Sequence, residues 1–387
     1  MTKRTFEMLI GKRLRICCAL VGVLNSLNAA SAKVEGAEAA DLDVRVTAEA
    51  WPEGDAMFHR DPRWLGGDDA YSIDLGDGRV VWCFGDSFVA PTVDGQRKGT
   101  TMVHNTVGLQ TGYDPVHAEF KCYWREEDGK PTSFIANDLP DYYWPGGGLL
   151  HDGKLLVLFM RARDAEGKLN FVTTGWGAVL IDNLQETPDH WRVKKLTVPQ
   201  NDFDVLVGSG TVMVDGEFVK AFSAKASGDH DVFLVRWPLA DAMSGDLSRP
   251  EWWAGAERGW IDQTKLEELP EPVMTPGSTE FVVYFSRELG VYVQMQFTGF
   301  PQSPIGARFA HSLTGPWTPL QPFYAPEEMQ AKDPGILLYA AKPHPEQASD
   351  GQAMTYCSNT LKLARVLEEN NIYYPRFVRN KFQTDAK

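Results

Sequence analysis

Residues 66–88 read GGDDAYSIDLGDGRVVWCFGDSF and place two glycine-flanked acidic sites, Asp68/Asp69 and Asp86, on either side of an apolar segment. Residues 71–75 alternate apolar and polar side chains, Gly76-Asp77-Gly78 supplies a turn, and residues 79–84 are rich in β-branched and aromatic types. That pattern predicts two antiparallel strands joined by a tight hairpin. The same arrangement recurs along the chain. HDGKLLV, VDGEFVK and SDGQAMT repeat the turn and following strand of GDGRVVW, with RELGVYV as a weaker fifth copy. The runs ahead of these turns, AYSIDL, GGGLL, SGTVMV, AAKPHPEQ and TEFVVYF, are apolar or small. One hairpin is repeated five times.

A marker residue at the start of each hairpin, Asp68, Gly147, Ser209, Glu280 and His344, gives separations of 79, 62, 71 and 64 residues. Units of this length, each an inner hairpin with outer strands, predict an all-β fold, a five-bladed β-propeller. A two-sheet β-sandwich is the competing architecture, because periodicity does not say how strands are grouped. The segment YYPRFVRNKF supplies an outer strand, DVRVTAEAW near the N-terminus helps to close the ring, and residues 361–371 read as one helix. No linker separates a second domain, so residues 33–387 form one unit.

Residues 1–32 carry the three parts of a secretory signal: basic residues Lys3, Arg4, Lys12, Arg13 and Arg15, an apolar stretch from 16 to 27, and the small-residue site Ala30-Ser31-Ala32. The apolar stretch is too short to span a bilayer, and no other segment is long enough. The expected product is periplasmic or secreted. Its removal of five basic residues and one acid, Glu7, takes the net charge from −14 to −18. So acidic a surface repels nucleic acid and anionic membranes. Cys83, Cys122 and Cys357 remain, an odd and widely spaced set that predicts no disulfide framework. Neither CxxC nor HExxH occurs, so nothing calls for a metal, and no cofactor is expected.

In a propeller, residues at the starts of inner strands gather at one mouth of the channel although they are distant in sequence. Asp68 or Asp69, Glu280 and His344 would then meet, with Asp86 closing the second strand of the first hairpin. Adjacent strand residues point to opposite faces, so only one of Asp68 and Asp69 is expected in the channel. Asp68, directly after Gly66-Gly67, is the preferred one.

The motifs WLGGDDAYSIDL…VVWCFGDSF, HNTVGLQ, YYWPGGG, GSTEFVVYF, SLTGPW and KPHPE…TYCSN, in that order from about residue 64 to 382, resemble the secreted bacterial proteins of domain-of-unknown-function family 4185. That family is similar to five-bladed propeller glycosidases, some of them assigned to glycoside hydrolase family 183, which cleaves D-arabinan. The resemblance implies a propeller hydrolase acting on a polysaccharide, an arabinan among the candidates.

Glycoside hydrolysis needs a carboxylic acid to protonate the leaving oxygen and a carboxylate across the sugar ring. Asp68 is assigned as base or nucleophile and Glu280 as general acid. Asp86 either orients the site or forms a side-chain-to-backbone turn in Gly-Asp-Ser. Asp69, His104, Asn105, Trp144, Arg308 and His344 are candidates for substrate binding. Trp144 offers a ring face to sugar C–H groups, and His344 either bonds a hydroxyl or is a satisfied core histidine. Residues 146–148 offer only glycine, which leaves room for a ligand or for a tight inner strand. A noncatalytic carbohydrate-binding propeller would use the same acids and aromatics. A phosphorylase would show a basic cluster, and Arg308 and Lys342 are only isolated cations.

Overall fold

The computed structural model describes residue 42 and residues 44–90, 96–166, 170–331, 333–347 and 352–384. The predicted signal segment lies outside the described residues. Strand pairing divides the chain into five antiparallel sheets of four or more strands and two small ones, not into the two layers of a sandwich. The first large sheet holds Tyr71–Asp74, Arg79–Phe84, Thr106–Thr111 and Glu119–Tyr123. The second holds Asp141–His151, Lys154–Asp164, Phe171–Ile181 and Val193–Leu196. In the third, Val205–Leu206 and Val212–Asp215 both pair with Phe218–Lys225, and three strands follow. The fourth begins with Val282–Ser286 and Val291–Phe297.

The fifth sheet draws on both ends of the chain. Ile336–His344, Gln352–Thr360 and Pro375–Thr384 are joined at the outer edge by Val44–Ala50, in register from Val44 opposite Thr384 to Ala50 opposite Val378. The C-terminal strand was expected as an outer strand, and it lies third counting from the inner one, with its far edge covered by the N-terminal strand. The predicted helix is shorter than its pattern, Leu363–Glu368, and has no side-chain N-cap.

Alternation explains why so many strands read as unbroken apolar runs. In Arg79–Phe84, Val81 and Cys83 pack with Leu155, Val157 and Phe159 of the second sheet, while Val80, Trp82 and Phe84 pack with Ala353 and Phe377 of the fifth. Leu156 and Leu158 turn the other way, onto Val212 and Val219 of the third sheet. Phe222 and Leu234 meet Phe281 and Val283 between the third and fourth sheets, and Val293 and Met295 meet Leu338 and Met354 between the fourth and fifth. These inner strands are thus buried on both faces, and each buried side chain of Val, Leu or Phe size contributes roughly 1.5–3 kcal/mol.

The leading strand of each large sheet is interrupted or preceded by irregular backbone. Trp64–Gly67 and Tyr71–Asp74 flank residues 68–70, the pairing register shifts between Pro145 and Gly148 and again between Tyr339 and Lys342, and residues 207–211 and 277–280 precede Val212–Asp215 and Val282–Ser286. Four of the five marker residues fall on these breaks. The fifth does not: the break lies at 340–341, where Ala340 has φ +56°, and His344 sits in the regular pairing beyond it.

Candidate functional site

Asp68 and Asp69 were expected to point to opposite faces. They do not, because Asp69 and Ala70 have φ of +66° and +53°, outside the strand conformation that enforces alternation. The Ala70 amide turns back onto the Asp68 carbonyl at 2.9 Å, and both carboxyl groups converge over Gly85. A Cβ on Gly85 would fall on Asp69 Oδ2 and 2.6 Å from Asp68 Oδ1. Glycine at position 85 is what lets both acids occupy one space.

Glu280, from the break in the fourth sheet, hydrogen-bonds the Asp69 carboxyl. Lys342, from the fifth sheet, donates to the Asp69 carbonyl oxygen at 2.6 Å, reaches Glu280 Oε1 at 3.4 Å and lies 4.2 Å from the centre of the Tyr71 ring. The Tyr71 hydroxyl donates to the carbonyl oxygen of Ser209 in the third sheet. Asp68 Oδ2 accepts from the hydroxyls of Tyr339 at 2.9 Å and Tyr373 at 3.1 Å, and Asn359 donates to the Tyr339 hydroxyl. Asp86 Oδ1 accepts from Trp144 Nε1 at 2.9 Å and pairs with His104 Nδ1 at 3.0 Å. Asp68 Oδ1 and Asp86 Oδ2 have no hydrogen-bond partner among the described residues.

Asp68, Asp69 and Asp86 have no exposed surface, and Glu280 keeps 3%. Burial drives the Asp68 and Asp69 carboxyls well above the usual aspartate range. The charges of Asp86 and Glu280 add to this at Asp68, and the charge and hydrogen bond of Glu280 add to it at Asp69. Four carboxyl groups therefore share one neighbourhood with a single ammonium group, and two of them favour the protonated form.

The remaining sequence candidates divide. His104 lies beside the cluster with 17% of its side chain exposed, stacked on Tyr142 with ring centres 4.0 Å apart. Trp144 is buried edge-on against Phe171, so it holds Asp86 rather than presenting a ring face. Asn105 is fully used by backbone: it donates to the Ile135 and Tyr143 carbonyls and accepts from the Ile135 amide. His344 is buried between Ser72 Oγ at 2.6 Å and Thr355 Oγ1 at 2.8 Å, and burial and then Lys342 push its imidazole well below the usual histidine range. It stays neutral and is spent on hydroxyls of the fold. Arg308 donates to the Pro276 carbonyl beneath the 277–280 break, its guanidinium pushed down to about 10 by burial. The two tyrosines on Asp68 were not anticipated. Tyr373 stands in "NIYYPRF", and nothing local distinguishes it from a strand aromatic.

A family model described as a domain of unknown function (DUF5005) matches residues 53–381. The chain belongs to that family. The matching family is thus 5005, and the likeness to family 4185 remains one of motifs. No curated protein matches the chain. Among solved structures, a Bacteroides ovatus protein with a provisional hydrolase assignment is similar over 90% of this chain and 97% of its own, at 14% identity and a TM-score of 0.67, a likeness of fold. The catalytic domain of a GH62 α-L-arabinofuranosidase from Coprinopsis cinerea aligns over 82% of this chain and 92% of its own, at 11% identity and a TM-score of 0.46. GH43B of the Bacteroides ovatus xyloglucan locus aligns over 84% of this chain and 54% of its own, at 13% identity and a TM-score of 0.48.

Proposed function

We propose that this member of the 5005 family is an exported glycoside hydrolase built on a closed five-bladed β-propeller. The ring is supported by contacts that run from each large sheet to the next and back to the first. The Gly147 amide donates to the Gly208 carbonyl, the Val283 amide to Thr211 Oγ1, Lys342 pairs with Glu280, and Ser72 bonds His344. Packing of Gly148 against Ile73 links the first and second sheets.

The hydrolase reading rests on one observation: acids 211 residues apart, Asp69 and Glu280, share a hydrogen bond while Asp68 and Asp69 are held toward the protonated form. A protonated acid beside an ionised one is the pair that glycosidic cleavage requires. Held toward the protonated form, Asp68 or Asp69 supplies the proton as general acid. Glu280 is the partner carboxylate that acts as base or nucleophile, the reverse of the roles expected from the sequence, and the charge of Asp86 helps to raise Asp68. The substrate is a polysaccharide or oligosaccharide. A noncatalytic sugar-binding propeller is the second reading, favoured by the near-complete burial of all four carboxyls.

Release of reducing sugar from a panel of arabinans and other plant, algal and bacterial glycans separates the two. In the hydrolase, Asp68→Asn and Glu280→Gln lower the kcat of the folded protein by at least about 10²-fold. Retention of glycans without product by the wild type would establish the binding module instead. Export is checked by intact mass: the mature chain begins at Lys33.

A further inference from the structure

His104 is the outer end of the acidic cluster. Its Nδ1 is committed to Asp86, its backbone amide to Ser133 Oγ, and one face of the ring to Tyr142, so the imidazole is fixed on three sides. Nε2 has no hydrogen-bond partner among the described residues. The ring forms part of a pocket of about 390 Å³, bounded by residues 101–104 and 131–133 and by the approach to Asp141–His151. That volume lies within the range of roughly 300–1,000 Å³ typical of small-molecule sites.

The polar lining is one-sided. Asn137 Oδ1 is a buried acceptor without a partner among the described residues, and Thr101, Thr132 and Ser133 add hydroxyls. Among the described residues no lysine or arginine lines the pocket. With Nδ1 held against Asp86, Nε2 is the ring nitrogen left to face the pocket. Asn137 Oδ1 can only accept, so a ligand that satisfies it must donate a hydrogen bond, and the buried carboxyls behind His104 disfavour an anion. Met102, Pro140 and the 84%-exposed Leu139 supply apolar surface for its C–H faces. Phosphate, sulfate and uronate meet an acidic neighbourhood with no cation among the described lining residues.

We infer that this pocket binds a neutral saccharide unit, with Asn137 Oδ1 accepting from one of its hydroxyls, His104 Nε2 hydrogen-bonding another, and Asp86 acting as the positioning residue that holds the His104 ring. The inference deepens the glycan reading above and rests on it for the choice of a sugar over other polyols.

Calorimetric titration of neutral arabino-, xylo- and galacto-oligosaccharides, against oligogalacturonate and sugar phosphates, tests it. A neutral oligosaccharide binds the wild type, the charged ones at least about 10-fold more weakly. Asn137→Ala raises the Kd about 10-fold, and His104→Ala raises it further. Asn137→Ala melts as the wild type does, since Oδ1 supports no other group, and so keeps the test sound if His104→Ala folds poorly. Preference for the charged ligands, wild-type affinity in Asn137→Ala, or no binding of any neutral sugar overturns the assignment. Glycan cleavage with KM unchanged in both variants removes the pocket and leaves the hydrolase standing. Neutral-sugar binding that Asn137→Ala weakens, without cleavage of any glycan, sustains the pocket and removes the hydrolase.

Discussion

The breaks in the leading strands of the second and fourth sheets occupy equivalent places and are filled in opposite ways. In the second sheet, Gly146 and Gly147 bring backbone onto backbone: a Cβ on Gly147 would fall on the Gly210 carbonyl oxygen and 2.7 Å from the Val212 nitrogen. In the fourth, Glu280 projects a carboxyl group to Asp69 and Lys342. One side of the interior is held by steric fit, which does not depend on pH. The other is held by charges and protons, which do. A repeated architecture can therefore carry chemistry in some of its units and only packing in others, and the difference reduces to whether a side chain is present at the break.

The largest expected effect is on the charged side. Lys342→Met removes the ammonium group from a buried set of carboxyls, and breaking such a pairing costs about 3–5 kcal/mol near neutral pH. The loss shrinks on acidification, as the carboxyls take up protons. Urea denaturation at pH 8 and pH 5 measures both, and a variant as stable as the wild type at pH 8 would show that Lys342 is not the counter-charge.

Gly147→Ala probes the steric side, and overpacking against fixed backbone costs about 3 kcal/mol. Here the loss is the same at both pH values. A pH-dependent loss would break the contrast between the two regions.

The wild type itself carries a pH signature with a definite sign. Asp68 and Asp69 are raised well above 3.8 in the folded protein, and Asp55, buried beside the Phe377 amide, is pushed up to about 6. Such groups bind more protons folded than unfolded, so their contribution is fully present below about 3.8 and is lost as pH rises through the folded values. Stability should rise by roughly 1–3 kcal/mol between pH 8 and pH 5. Asp69→Asn should flatten that slope and be more stable than the wild type at pH 8. A steeper slope in the variant would refute the assignment of the buried proton.

The smallest effect is expected from reductant. Cys83 and Cys357 lie beneath the acidic side and Cys122 lies apart from it; all three are buried and free, and burial raises each thiol, that of Cys83 to about 12. A disulfide would contribute about 2–4 kcal/mol. Melting should move by less than about 1 °C on adding dithiothreitol, and a fall of several degrees would reveal a bridge.

Much of this was legible in the sequence because it is local. Turn glycines, strand composition and the fivefold hairpin pointed to five repeated antiparallel units, and equivalent positions in the hairpins predicted that Asp68 or Asp69, Glu280 and His344 would meet. The structure gathers the three acids and leaves His344 bonded to Ser72 and Thr355. The N-terminal strand was placed at the close of the last sheet, where it pairs with the C-terminal strand. These features depend on residue spacing and on backbone preference, which a chain carries in its own order.

What only the tertiary structure decided depends on neighbours distant in sequence. Asp69 joins Asp68 in the interior because its backbone leaves the strand conformation over Gly85, so the alternation rule had no purchase there. His344 and Asn105 look like site residues in one dimension, yet Ser72, Thr355, Ile135 and Tyr143 consume their hydrogen bonds. Tyr339 and Tyr373 became ligands of Asp68 only when the fifth sheet was laid against the first. Residue type and periodicity bring the acids to the interior. Which of them share a proton, which are silenced and which face a pocket is set by packing, because burial and partner geometry exist only once the sheets have met.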